Sequence, residues 1–132
     1  MKLARLFVLV PLTFAAGQQD VVGDFTTSPN EHIINEIGHP FTVRSVQGVV
    51  TERDETVRLA SVLFEIQGPA GDRKIRKAIT DQNGHFRIRD VPSGTYRFKA
   101  TLMSNQSVMG TIIVTPKIKT SGEIRLTMHV GV

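Results

Sequence analysis

The stretch that most constrains this 132-residue chain runs from Thr80 to Tyr96. Asp81, Asn83 and Gly84 form one turn signal, because short carboxylate and amide side chains bond nearby backbone amides and glycine takes positive φ without a Cβ clash. Pro92, Ser93 and Gly94 form a second. Between them Phe86 and Ile88 share one face while Arg87 and Arg89 share the other, the period-two pattern of a half-buried strand. The spacing predicts a hairpin and corner that set sheet register, with Phe86, Ile88 and Tyr96 turned to the core. Tyr96 follows the second turn, so its hydroxyl can bond loop backbone while its ring is buried.

The same grammar extends along the chain. Short segments rich in Val, Ile, Thr and Phe alternate with Gly, Pro, Asn and Asp clusters, and none has the three- and four-residue apolar spacing of a helix. Strands are expected at about 42–51, 60–67, 74–80, 85–91, 95–103, 108–115 and 123–130, the third a basic edge strand. Their alternation puts Val46, Gly48, Val50, Val62, Phe64, Ile66, Phe98, Ala100, Leu102, Ile124, Leu126, Met128 and Val130 inward. Seven short strands at this spacing predict a seven-stranded antiparallel β-sandwich.

Residues 1–17 read as a signal peptide. Lys2 and Arg5 precede an apolar run from Leu6 to Phe14, and Ala15, Ala16 and Gly17 supply a small-residue cleavage site. The run is too short and broken for a permanent membrane span. Residues 18–41 read as a poorly patterned N-terminal tether with room for one short strand, and residues 42–132 as the sandwich domain. Taking Lys2 and Arg5 from the 16 basic residues leaves 14 against 12 acidic, a formal +2 that argues against nucleic acid as a partner. The chain has no cysteine. An exported domain without disulfides is expected in the periplasm or secreted, most economically from a bacterium.

Several runs together resemble the carboxypeptidase regulatory-like domains. They are Val46, Gly48 and Val50; Leu59 to Val62 with Phe64; Thr80, Asp81, Gly84, Phe86 and Ile88; Val91, Pro92, Gly94 and Tyr96; and Ile124 with Leu126. The resemblance covers about residues 42 to 130. It implies a transthyretin-like, or prealbumin-like, Greek-key sandwich in the group filed with carbohydrate-binding-like folds. It also implies a non-catalytic accessory module, since such domains sit beside metallocarboxypeptidase domains, before outer-membrane receptors or in extracellular arrays.

No catalytic, metal or cofactor site is expected from the residues themselves. His32, His39, His85 and His129 lie far apart with no pair at metal-ligand spacing. Asp81, Asn83 and Gly84 pass straight into a strand, so they read as a turn and not as a calcium loop. No serine sits in a nucleophile elbow. The candidate functional feature is a basic face: if the fourth and fifth strands pair, Arg87, Arg89, Arg97 and Lys99 project from one sheet surface toward an anionic partner. The favoured expectation is thus an exported, non-enzymatic module that holds a protein partner by a sheet face or edge. A carbohydrate-binding module is the alternative, although the chain has no Trp, its single Tyr is expected inward, and only Phe25 and Phe41 remain as stacking platforms.

Overall fold

The computed structural model describes residues 24–28, 33–119 and 122–131. The expected signal peptide, Val21, Val22 and His32 lie outside these residues. The described residues contain nine strands and no helix: β1 (Ile34–Glu36), β2 (Phe41–Val43), β3 (Val46–Glu52), β4 (Leu63–Gln67), β5 (Ile75–Ile79), β6 (His85–Ile88), β7 (Gly94–Thr101), β8 (Ser107–Val114) and β9 (Ile124–Met128). They form two sheets. The larger runs β1–β8–β7–β4–β5, with β2 also paired to β8; the smaller runs β6–β3–β9.

The all-β expectation and the two layers agree with the structure, whereas the strictly antiparallel, seven-stranded arrangement does not. Both β1 and β2 pair with β8 in parallel, and β3 pairs with β9 in parallel, so both sheets are mixed. The expected first strand is in fact two, one in each sheet. Val43 and Val46 are both buried, at 3% and 0% exposure, yet a spacing of three residues puts them on opposite faces of any continuous strand. Both reach the core only because the chain changes sheet at Arg44 and Ser45.

The segment between Thr80 and Tyr96 makes two such crossings. It leaves the larger sheet after β5, enters the smaller sheet as β6, and returns to the larger sheet as β7. The first crossing is the expected turn: Gly84 N–H donates to the Asp81 carbonyl at 3.0 Å, and the Asp81 carboxylate accepts from the amides of Asn83 and His85 at 2.9 and 3.0 Å. Gly84 sits at φ 76°, and a Cβ there would also press on the Val50 carbonyl. The second crossing corrects the hairpin expectation. Ile88 and Tyr96 must enter one core from opposite sheets, so the link from Arg89 to Ser93 spans the layers, with Asp90 at φ 59°. The Tyr96 hydroxyl donates to the Pro92 carbonyl at 2.6 Å, so the expected corner forms.

The core lies between the sheets. Phe64 stacks on Phe86 across the layers at 4.1 Å and on Phe98 at 5.3 Å, and Val46, Val50, Val62, Ile66, Ile112, Ile124, Leu126 and Met128 close around them. Val130 departs from the inward pattern, being 59% exposed, because β9 ends at Met128. The stretch read as a tether also contributes. β1 and β2 act as one edge strand interrupted at Gly38 to Pro40, and Phe25 is buried.

Candidate interaction face

The four basic residues expected together are divided between the layers. Arg87 and Arg89 project from the smaller sheet, while Arg97 and Lys99 lie on the outer face of the larger one. The physical reason is the second crossing, which prevents β6 and β7 from pairing.

The larger sheet's outer face is occupied by the chain itself over β4 and β7, while Lys77 on the β5 edge, opposite Glu65, stays exposed. Arg97 makes a bidentate ion pair with Glu36 of β1, at 2.8 and 2.7 Å, and bonds Thr111 on β8. The guanidinium hydrogen bonds, together with its charge, hold the Glu36 carboxyl below the ordinary glutamate value against the opposing effect of burial. Lys99 is 2% exposed, and its ammonium donates to the Thr26 carbonyl at 2.8 Å. Glu65, opposite Lys99 across the β4–β7 ladder, accepts from the Thr26 amide and hydroxyl, each at 3.0 Å. Asp24 pairs with Arg73 at 2.7 Å and accepts from Gln67 at 2.9 Å. Residues 24–26 are thereby strapped across β4 and β7, and their contacts use groups that would otherwise need water.

Among the described residues no segment is strapped across the smaller sheet's outer face in this way. The strand registers set Arg87 opposite Gln47 and put His85, Val49 and Arg125 in the next cross-strand row. Arg87, Arg89 and Arg125 are exposed, as is Arg44 where the chain enters β3. Arg73–Asp24 and Arg97–Glu36 are ion pairs on the larger sheet's side, whereas Arg44, Arg87, Arg89 and Arg125 have none to a described residue. The arginines of the smaller sheet therefore stand without carboxylate partners among those residues. Two depressions flank Arg87. One, of about 420 Å³, includes Gln47, Ile79, Asp81, His85 and Glu123; the other, of about 240 Å³, includes Arg44, Arg87, Arg89 and Asp90.

Arg44 and Arg125 join Arg87 and Arg89 in place of Arg97 and Lys99. Sequence reasoning missed them because the β3–β9 pairing is parallel and links distant segments. The odd spacing of Val43 and Val46 was the available signal for the break that exposes Arg44.

The remaining candidates have structural placements. Asp81, Asn83 and Gly84 close the first turn, and Pro92 and Gly94 flank the second crossing. Phe86, Ile88 and Tyr96 are buried at 4%, 8% and 1% exposure. Phe25 is buried as well, and Phe41 packs against Phe98, so neither candidate stacking platform presents a free ring. Among the described residues no three His, Asp or Glu side chains converge in metal-binding geometry.

No family model matches the chain, and no curated protein matches it. Among solved structures it is similar to an N-terminal interface mutant of a type II cohesin–X-dockerin complex from Acetivibrio cellulolyticus. That match has 25% identity and a TM-score of 0.46, covering 66% of this chain and 58% of the other. A C-terminal interface mutant of the same complex gives 25% identity and a TM-score of 0.44, over 64% and 56%. The chain thus spans less than two thirds of the length of these two neighbours. A 3-chlorocatechol 1,2-dioxygenase from Rhodococcus opacus 1CP is similar at 13% identity and a TM-score of 0.48, over 89% of this chain and 79% of the dioxygenase.

Proposed function

We propose that the chain is an exported, non-catalytic interaction module that binds an acidic protein surface through the outer face of its three-stranded sheet. One observation carries this reading: Arg97 and Lys99 of the larger sheet are held by internal contacts, whereas Arg44, Arg87, Arg89 and Arg125 gather on the smaller sheet's side, exposed and without carboxylate partners among the described residues. Arginine suits such a surface because its planar guanidinium meets carboxylates with two parallel hydrogen bonds.

The kinship with carboxypeptidase regulatory-like domains is part of the same proposal. It rests on the motifs from Val46 to Leu126, and export rests on the N-terminal charge and apolar pattern. A carbohydrate ligand is less favoured, because the Phe and Tyr rings of the described residues are buried or packed.

The decisive variant is Arg87→Glu with Arg125→Glu. Both side chains are exposed, so reversal is expected to leave the unfolding free energy within about 0.5 kcal/mol of the parent while abolishing retention on an immobilised acidic protein. Retention undiminished by the double reversal would refute the proposal. Arg97→Glu is a control of a different kind, since it puts two carboxylates together where Glu36 now has its cation. It should destabilise β1 without affecting retention.

A further inference from the structure

Within that face, we infer that the pocket between Arg44, Arg87 and Arg89 is the specific subsite for a carboxylate side chain of the protein partner. The inference rests on the proposed function and gives it an anchoring point.

The pocket lies where two crossings meet. Arg44 and Ser45 carry the chain from β2 into β3, and Arg89, Asp90 and Val91 carry it out of β6 toward β7. The pairing of Val46 with Ile88 holds these two exits side by side, so residues 43 positions apart in sequence line one depression of about 240 Å³. Three arginines and one carboxylate residue, Asp90, line it, a formal local excess of two positive charges. Arg44 has one recorded contact, a 3.4 Å bond to the Lys119 carbonyl, and this orients it without neutralising it. Arg87 and Arg89 have no side-chain hydrogen bond or ion pair to any described residue. The neighbouring depression differs: it sets Asp81 and Glu123 beside Arg87 and His85, so its charges are mixed. Of the two depressions, the one at the Arg44–Arg89 end therefore carries the larger formal positive excess for an incoming carboxylate.

The pocket has room for an acidic side chain, and its walls are strand ends, which keep the arginine backbones in fixed register. A partner presenting an acidic segment would place one Asp or Glu here and spread the rest of its charge along Arg87 and Arg125.

The test uses a synthetic octaglutamate peptide titrated into the full chain and followed by backbone amide shifts. Inorganic phosphate and an octaglutamine peptide, at matched ionic strength, are the comparison probes. Replacing two of the three pocket arginines, Arg44→Gln with Arg89→Gln, is expected to weaken octaglutamate binding about tenfold or more, as loss of two charge-assisted contacts requires. Arg125→Gln alone is expected to weaken it about threefold or less, as an exposed rim charge does. If the pocket pair matters no more than Arg125, the subsite is refuted while the face remains. If phosphate at equal ionic strength shifts the pocket amides as strongly as the peptide, the site is a general small-anion site and the inference is also refuted. If no arginine substitution changes peptide binding, the function proposed for the whole face fails with it.

Discussion

Phe64 is the residue on which the two layers depend most. It is fully buried and stacks on Phe86 from the opposite sheet and on Phe98 from its own. Truncation removes contacts on both sides, and a strand position cannot collapse to refill the gap. Phe64→Ala is therefore expected to lower the unfolding free energy by about 3–5 kcal/mol, measured by denaturant titration. Tyr96 carries a smaller and separable load. Its ring stays in the core in Tyr96→Phe, so only the bond to the Pro92 carbonyl is lost, a change of about 0.5–1.5 kcal/mol by the same titration. A loss as large as that of Phe64→Ala would mean that the corner supports more than its own turn. Lys99 and Glu65 show the opposite case, of polar side chains that point outward yet are buried because the strap at residues 24–26 lies over them.

Among the elements, β6 and β1 show most clearly what pattern can and cannot convey. The alternation of Phe86, Arg87, Ile88 and Arg89 marked β6 as a strand, its first turn and its buried face, because those properties are local. Its sheet was not legible. Whether a strand pairs with its successor depends on which side of the core the next turn delivers it to, and a five-residue link containing Pro92 is compatible with either. For the same reason Arg87 and Arg89 were identifiable as solvent-facing, while their companions Arg44 and Arg125 depend on long-range registers with β3. The β5 edge was legible, since its basic residues protect an unpaired strand. β1 was faint because three residues flanked by Gly38 and Pro40 carry too little alternation to register.

β1 also provides a pH test. Arg97 lowers the folded-state pKa of Glu36, chiefly through its hydrogen bonds, so the ion pair stabilises β1 at pH values above the ordinary glutamate range and this contribution is lost as pH falls through the lowered folded value. The Ile37 amide, bonded to the Met109 carbonyl at 2.8 Å, is a local reporter. Its exchange should be slower in the parent than in Glu36→Gln at neutral pH, and the difference should close as the carboxyl is protonated. A difference that persisted unchanged into strong acid would show that the charge pair does not hold β1.

For the molecule as a whole, the consequence of the two crossings is an asymmetry between its outer faces. The larger sheet turns Arg97, Lys99 and Arg73 onto its own chain, through Glu36, Thr26 and Asp24, and leaves Lys77 at its β5 edge. The smaller sheet leaves arginines in water, where charge is screened over about 8 Å at physiological ionic strength, so binding through it should weaken as salt is raised. The most direct measurement of this asymmetry is a backbone amide shift map during titration with an acidic protein or peptide. Shifts are expected to concentrate on β6, β3 and β9 and at Arg44, and to fade with added salt. Shifts concentrated instead on β7, β4 and β5, with the three-stranded sheet silent, would contradict that expectation.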